Sequence, residues 1–355
     1  MIDDPKINKR DFLKKAGVGV AAAGASAIAA PNIVHARSPI KWRLQTYAGP
    51  ALAEHVIKPS IDAFNIAANG EMTIDLYTSD QIVPQGELFR AVQNGTIDAA
   101  QSDDDSMAAP VDVSVFGAYF PFASRYSLDV PALWEWYGLR EIWEEAYAEV
   151  PGVTWLSAGS WDPCNFATTK PIRKLEDLRG LRVFTFPTGG KFLERFGVVP
   201  VTLPWEDIEG AILAGDLDGI AWSGATECYT VGWADVTQYY LTNNISGAWA
   251  GSYIANTKRW DALPPHLQTL FKLSMDSSHY YRQHWYWWGE AHYRTTGGKL
   301  ELTTIPEAEW SIVEDEALKF WDEIAGKSER NAKVVKILKE YAETMKKAGA
   351  PYRHS

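Results

Sequence analysis

The first part of the chain alternates strand patterns with helix patterns. Residues 40–46 alternate apolar and polar positions as a half-buried strand does, and the stretches 72–76 and 97–100 also predict strands. Between them, residues 51–67 and 86–93 carry apolar positions at helical spacing, and each stretch is followed by an Asn-Gly pair. Because strands that alternate with helices pair in parallel, this order predicts a mostly parallel sheet covered by helices.

A second run of the same kind begins near Val153. Its strand candidates are residues 153–156, 165–169, 181–186 and 219–222, and its shorter helix candidates are residues 190–196 and 205–214. Longer helices are predicted over residues 128–150, 264–294, 307–325 and 333–348. The two runs predict an α/β protein with two lobes, several crossings between them, and a cleft in which a ligand binds.

The first 36 residues differ in composition from the rest. A charged start is followed by an apolar run over residues 16–30, which is too short to span a bilayer but suits an export signal cleaved after Ala36. The pair Lys9-Arg10 resembles the twin-arginine signal, except that Lys9 replaces one arginine. We therefore expect export to the periplasm, with twin-arginine transport as the expected route.

Composition narrows the class of function. The chain has 355 residues and a net charge of −11, which argues against a nucleic-acid partner because such a protein needs a basic face. Sixteen Trp residues favour an aromatic-lined cavity as well as an aromatic core. Cys164 and Cys228 are too few for a disulfide scaffold; they either pair with each other in an oxidising compartment or stay free.

No sequence motif for catalysis or metal binding is present. The segment Thr188-Gly189-Gly190-Lys191-Phe192 lacks the spacing and the hydroxyl residue of a phosphate loop. His279, His284 and His292 are spaced by five and eight residues, which suits neither one helix face nor zinc binding. We therefore predict no cofactor, no metal and no enzyme activity. Asp103-Asp104-Asp105 follows a predicted strand and is interpreted either as a solvated turn or as a ligand contact at the cleft.

Several segments together carry a resemblance to a known family. They are Trp42-Arg43-Leu44, residues 81–84, residues 120–122, the stretch from Leu178-Arg179-Gly180 to Val199-Pro200, and the stretch from Ile208 to Gly224. With these segments, residues 40–348 resemble the extracytoplasmic solute receptors of TRAP transporters, most closely the branch that binds 2-oxo and 2-hydroxy acids. The resemblance implies two lobes of the periplasmic binding protein type, a hinge that closes on the solute, and a long helix that spans both lobes.

The resemblance also implies partners and a division of the chain. The partners are a small organic solute and the two membrane subunits of a TRAP permease, and no covalent chemistry takes place. We expect lobe I to comprise mainly residues 37–160, lobe II mainly residues 161–255, and the closing helices residues 256–355.

The sequence departs from the family at the positions that hold a carboxylate ligand. Phe184 stands where the family has an arginine that grips the ligand carboxylate, and Ala221 stands where the oxo-acid branch has a metal-binding glutamate. The oxo-acid branch also has a metal-binding glutamine and a later carboxylate. Their positions correspond to residues near Pro163 and Gly247 in this chain, so both groups are missing here. We therefore expect a ligand other than a simple 2-oxo acid, bound without a metal ion.

The expected ligand-binding residues follow from these positions and from the acidic triplet; they are Asp103, Asp104, Asp105, Asn165, Arg182, Phe184, Trp222, Glu227 and Trp249. Carboxylates beside aromatic rings favour an amine-bearing solute, with neutral polyols and aromatic solutes as alternatives. A carboxylic acid held by Arg182 or Arg125 remains a further alternative. A periplasmic enzyme and a sensor partner are the alternatives from other functional classes.

Overall fold

The structure, a computed structural model, describes residues 38–349, so the predicted export signal at residues 1–36 lies outside the described residues. The strands are β1 (Ile40–Thr46), β2 (Met72–Tyr77), β3 (Ala99–Ser102), β4 (Val153–Ser160), β5 (Cys164–Thr168), β6 (Arg182–Phe184), β7 (Val199–Val201), β8 (Gly219–Ala221), β9 (Tyr239–Ser246), β10 (Ala250–Asn256) and β11 (Glu301–Thr303). They form two sheets, one in each lobe. This arrangement confirms the predicted two-lobed α/β fold.

The sheet of lobe I has the order β2-β1-β3-β10-β4. β1 runs parallel to β2 and β3, whereas β10 is antiparallel to both β3 and β4. The expectation of a mostly parallel sheet therefore holds only for the first three strands. Our sequence division also placed residues 250–255 in lobe II, and this was wrong because the chain crosses back after β9 and inserts β10 into the first sheet.

The sheet of lobe II has the order β11-β9-β5-β8-β6-β7. β6 runs parallel to β7 and β8, and their carboxyl ends lie at the same edge of the sheet. β5 is antiparallel to both β8 and β9. The chain passes from β4 of lobe I directly into β5, and from β9 directly into β10. These two short crossings connect the lobes beside the carboxyl ends of β6 and β8.

Helices cover both sheets. They are α1 (Pro50–Val56), α2 (Lys58–Ala67), α3 (Leu88–Gln93), α4 (Asp129–Trp136), α5 (Leu139–Ala148), α6 (Pro187–Leu193), α7 (Ile208–Ala214), α8 (Ala225–Thr230), α9 (Trp233–Val236), α10 (Thr257–Asp261), α11 (Pro265–Thr296), α12 (Glu307–Ala325) and α13 (Glu329–Ala348). Among residues 38–349, none of the helices has the length and apolar character needed to cross a membrane.

Two long helices bear on the predictions. The stretch predicted as one helix over residues 128–150 is divided into α4 and α5, because Gly138 adopts a left-handed backbone with φ 86° and redirects the chain. The helix predicted over residues 264–294 is α11, with 32 residues. It packs on α2 and β4 of lobe I and on α8 of lobe II, which confirms that it spans both lobes.

Candidate functional site

Aromatic side chains from both lobes meet where the strands end and the chain crosses between lobes. Tyr47 follows β1 and Trp161 follows β4, while Phe184 and Phe186 come from the end of β6 and the residues after it. The remaining two rings, Trp222 and Trp249, follow β8 and precede β10. We call these six residues the aromatic cluster; each is at most 6% exposed.

The rings of the aromatic cluster contact one another across the cleft. The centroid of Tyr47 lies 4.7 Å from that of Trp249 and 6.0 Å from that of Trp222. Trp222 in turn lies 5.3 Å from Phe184 and 4.8 Å from Phe186. Phe184, which stands where the family has its arginine, is therefore part of an aromatic wall. The cluster brings together three residues predicted for the site: Phe184, Trp222 and Trp249.

Two buried carboxyl groups adjoin the aromatic cluster. Asp162 accepts hydrogen bonds from the Tyr119 hydroxyl at 2.8 Å and from the Gly224 backbone N–H at 2.9 Å. Glu227, on α8, accepts one from the Tyr286 hydroxyl at 2.5 Å through Oε1, while its buried Oε2 receives none from an N–H or hydroxyl group of the described residues. The Glu227 carboxyl group also lies within hydrogen-bonding range of that of Asp162. Burial raises the pKa of Glu227 to about 8, and burial together with the nearby Glu227 raises that of Asp162 well above its usual range.

Asp103 supplies a third buried carboxyl group from lobe I. Its Oδ1 accepts a hydrogen bond from the Ser106 backbone N–H at 2.7 Å, whereas its buried Oδ2 has no partner. Burial, reinforced by Asp105, raises the pKa of Asp103 to about 8. Tyr47 connects the three carboxyl groups electrostatically: burial raises the pKa of its hydroxyl, and Glu227, Asp162 and Asp103 raise it further.

One buried arginine lies behind the aromatic cluster without an acidic partner. The Arg282 guanidinium sits 3.8 Å from the centroid of the Trp161 ring, at the range of a cation–π contact. It donates to the Val56 carbonyl and the Ser278 hydroxyl, each at 2.8 Å, and it contacts His279. Within residues 38–349, no lysine or arginine forms an ion pair with Asp103, Asp162 or Glu227. None of the three carboxyl groups is therefore paired directly with a protein cation among the described residues.

The other two residues of the acidic triplet have separate structural roles. Asp104 faces the core of lobe I, where it accepts hydrogen bonds from the Trp143 indole N–H at 2.9 Å and the Ser252 hydroxyl at 3.1 Å. Asp105 reaches across the cleft and accepts a hydrogen bond from the Thr188 backbone N–H of lobe II at 2.7 Å. Asp104 thus lies outside the aromatic cluster, contrary to our expectation, because these bonds direct its side chain inward.

Arg182 lies apart from the aromatic cluster, whereas Asn165 borders it: Phe166 pairs with Ala221, so Asn165 lies opposite Trp222, and its buried Oδ1 has no partner. The Asn165 amide N–H group donates to the Leu241 carbonyl at 2.9 Å, at the irregular pairing between β5 and β9. The Arg182 guanidinium is bound to the Asp218 carboxylate and the Gly215 carbonyl. The Arg182 contacts lie at the amino ends of β6 and β8, whereas the aromatic cluster lies at their carboxyl ends. Arg182 therefore does not stand in for the missing arginine.

Arg125, the other candidate for that role, is engaged elsewhere. Its guanidinium donates to the Glu314 carboxylate on α12 at 2.7 Å and lies 4.6 Å from the ring centroid of Phe122. The sequence reasoning missed five residues that surround the buried carboxyl groups, namely Tyr47, Tyr119, Trp161, Asp162 and Tyr286. Trp161 and Asp162 lie together in the short segment between β4 and β5, where the chain crosses between the lobes. Since such crossings border the cleft, this pair could have been predicted from the sequence as part of the site.

The lobes are closed over the aromatic cluster. Gly49 of lobe I approaches Trp205 of lobe II so closely that a Cβ atom at Gly49 would lie 2.4 Å from the indole nitrogen. Next to this contact, a cavity of about 270 Å³ is lined by both lobes, including Gln85 and Ser106 of lobe I and Phe186 of lobe II. Gly251 likewise leaves room for the Trp249 ring, because an added Cβ would lie 2.0 Å from it. The cavity reaches the aromatic cluster at Phe184 and Phe186, whereas Asp103, Asp162 and Glu227 do not line it.

The structure also bears on a disulfide between the two cysteines and on metal binding. Cys164 and Cys228 are both buried and both free, so they do not form the disulfide that the sequence left open. In the part of the chain that the structure describes, no group of three or more His, Cys, Asp and Glu side chains is arranged to hold a metal ion. The aromatic cluster and the carboxyl groups beside it offer aromatic faces and hydrogen-bonding groups to a ligand.

The chain matches a family of solute-binding proteins and a solved structure of high sequence identity. The family model described as bacterial extracellular solute-binding protein, family 7, matches residues 61–327. A TRAP periplasmic solute-binding protein from Chromohalobacter salexigens, solved with bound (S)-(+)-2-amino-1-propanol, is 66% identical. The match has a TM-score of 0.87 and covers 89% of this chain and 99% of that one.

More distant relatives share the fold. A TRAP periplasmic solute-binding protein from Pseudoalteromonas atlantica, solved with sodium and pyruvate, is 20% identical with a TM-score of 0.77 and covers 87% of this chain and 96% of that one. A monocarboxylate 2-oxoacid-binding periplasmic protein of Nostoc sp. is 24% identical over 281 residues, which are 75% of this chain and 74% of that protein.

Proposed function

Because the chain belongs to bacterial extracellular solute-binding protein family 7, a family of solute receptors, we propose that it captures a small amine-bearing solute in the periplasm. It then delivers this solute to the membrane subunits of a TRAP permease. Binding is noncovalent and takes place between the lobes, at the aromatic cluster and the buried carboxyl groups beside it. The proposed site residues are Tyr47, Asp103, Trp161, Asp162, Phe184, Trp222, Glu227 and Trp249.

The observation that carries this proposal is a charge imbalance. Asp103, Asp162 and Glu227 are at most 1% exposed, and no lysine or arginine forms an ion pair with them among the described residues. Buried negative charge is costly unless it is neutralised or paired. A protonated amine supplies the missing positive charge, and its N–H groups donate to the carboxylates. Aromatic rings around it add cation–π attraction of about 0.5–2 kcal/mol each.

The 66% identical relative supports the same class of ligand. That protein from Chromohalobacter salexigens was solved with an amino alcohol, a small solute with one amine and one hydroxyl group. The departures at Phe184 and Ala221 agree with this, since neither side chain can bind a carboxylate or a metal ion. A carboxylic acid ligand is disfavoured because Arg125 and Arg182 are both engaged in ion pairs away from the aromatic cluster. Arg282, which does contact the cluster, donates instead to the Val56 and Ser160 carbonyls and to the Ser278 hydroxyl.

A thermal-shift comparison of three ligand classes tests the proposal. 2-Amino-1-propanol should raise the unfolding temperature of the wild type, because a ligand stabilises the folded state by RT ln(1 + [L]/Kd). Glycerol and pyruvate, the latter with and without calcium, should give no specific shift. The Glu227→Gln variant should lose most of the amine-dependent shift, while the exposed Glu71→Gln should keep it. A shift with pyruvate alone would overturn the proposed ligand class.

Delivery to the permease requires a separate experiment. Cells that carry the gene should take up radiolabelled 2-amino-1-propanol at low external concentration, and cells that lack it should not. Uptake that is unchanged by deletion would contradict the transport role even if the purified protein binds the amine.

A further inference from the structure

Two buried acceptor oxygens without partners lie on opposite lobes of the site. Oε2 of Glu227 belongs to lobe II, and Oδ2 of Asp103 belongs to lobe I. The Tyr47 backbone N–H donates to the Gln101 carbonyl at 3.0 Å, which places Tyr47 beside the end of β3 that leads into Asp103. Buried polar atoms are nearly always satisfied in folded proteins, so these two acceptors, together with the unpaired Oδ1 of Asn165 beside Trp222, indicate more than one donor group on the ligand.

The same region also holds buried donors without partners. The indole N–H groups of Trp161 and Trp249 are both buried and unpaired. Asp103 borders this region, because Ser106, whose N–H donates to Asp103 Oδ1, lines the cavity between the lobes together with Phe184 and Phe186. The ring centroids of Trp161 and Trp249 are 4.5 Å apart. Acceptors and donors therefore share this part of the site.

A ligand hydroxyl group can bond to both the carboxyl acceptor and the indole N–H donors, whereas an ammonium group at the same place cannot. An ammonium group has three donors and no acceptor, so it cannot receive a hydrogen bond from an indole N–H. A hydroxyl group donates one hydrogen bond and accepts others, so it can donate to Asp103 while its oxygen accepts from an indole. The carboxyl pair of Asp162 and Glu227 remains for the ammonium of the same ligand.

We propose that the receptor selects short amino alcohols. Asp103 accepts a hydrogen bond from the ligand hydroxyl group through its free Oδ2, while Asp162 and Glu227 bind the ammonium group. This inference rests on the proposed function and adds a second point of recognition. It also implies that the amine must carry hydrogens. A quaternary ammonium offers no N–H group, so it would leave Glu227 Oε2 buried and unpaired.

Calorimetric titration with two matched amines tests the role of Asp103. Isopropylamine is 2-amino-1-propanol without its hydroxyl group. The wild type should bind the amino alcohol about tenfold to a hundredfold more tightly, because loss of the hydroxyl leaves a buried acceptor unsatisfied. In Asp103→Asn this preference should fall to about threefold or less, with little change in the affinity for isopropylamine.

The neighbouring residue provides a matched control. Asp104→Asn alters the same chemical group one residue away, but its bonds face the lobe I core, so the preference for the amino alcohol should persist. Asp103→Asn keeps Oδ1 for the Ser106 N–H, and thermal unfolding checks that the variants fold. The ratio of the two affinities in the wild type needs no variant at all.

The possible outcomes separate the two proposals. If the wild type binds neither amine, the proposed function fails and this inference fails with it. If the wild type binds both amines equally, or if Asp103→Asn weakens both by the same factor, the inference about the hydroxyl is overturned while amine binding stands. Tight binding of choline by the wild type would overturn the requirement for an N–H donor.

Discussion

The unliganded protein should lose folding stability as the pH rises through the range in which Glu227 titrates. Burial raises the pKa of this carboxyl group from its ordinary 4.5 to about 8. Between these values the folded protein keeps a proton that the unfolded chain releases, so raising the pH favours unfolding. The stabilising contribution is fully present below pH 4.5 and is lost as the pH approaches 8.

The size of the effect follows from proton linkage. One proton held by the folded state alone changes the free energy of unfolding by about 1.4 kcal/mol per pH unit. Over the whole interval this amounts to at most about 5 kcal/mol for Glu227, and opening of the cleft reduces it by admitting water. A bound ammonium pairs with the ionised carboxylate, so the stabilisation by 2-amino-1-propanol should grow with pH over the same interval.

Urea unfolding of the wild type and Glu227→Gln at several pH values between about 5 and 8.5 measures this effect. The stability of the wild type relative to the variant should decline as the pH rises, because glutamine does not titrate. Glu71→Gln, which alters an exposed glutamate, should follow the wild type. Parallel pH profiles for the wild type and Glu227→Gln would refute the assignment of a buried, protonated Glu227.

Three further predictions concern single contacts of the site. Asp105→Asn weakens the bond to the Thr188 N–H that joins the lobes, so the Kd for 2-amino-1-propanol should rise about twofold to tenfold; an unchanged Kd would contradict a role in closure. Trp222→Ala removes the central ring of the aromatic cluster and should weaken binding by calorimetry about tenfold or more, whereas an unchanged affinity would remove Trp222 from the site. Cys164 and Cys228 should react with a thiol reagent only after unfolding, and a disulfide found in the unfolded chain would contradict the free thiols.

Local patterns in the sequence predicted most elements of the fold but not their pairing. The β1–β2–β3 unit was predictable because its strands and helices alternate along a short stretch of chain. β9 and β10 were missed because they enter the two sheets from distant sequence positions, which hydrophobic periodicity does not record. Gly138 alone did not predict the division between α4 and α5, because a single glycine is often tolerated within a helix.

The site was predictable only in part, for a related reason. Trp222 and Phe184 were found because the family resemblance aligns them with positions that contact the ligand. Asp103 and Asp104 are adjacent in sequence, yet they face opposite directions, so a triplet of acids could not be divided into ligand-facing and core-facing members. Asp162 was missed because its burial depends on Tyr119 and Gly224, which come from different parts of the chain.

Calorimetric titration of the exported protein with 2-amino-1-propanol and with pyruvate, each with and without calcium, tests the central claim most directly. The account predicts saturable binding of the amino alcohol that calcium does not affect, and it predicts no binding of pyruvate under either condition. Calcium-dependent binding of pyruvate, with no binding of the amine, would contradict it and return the protein to the class of carboxylate receptors.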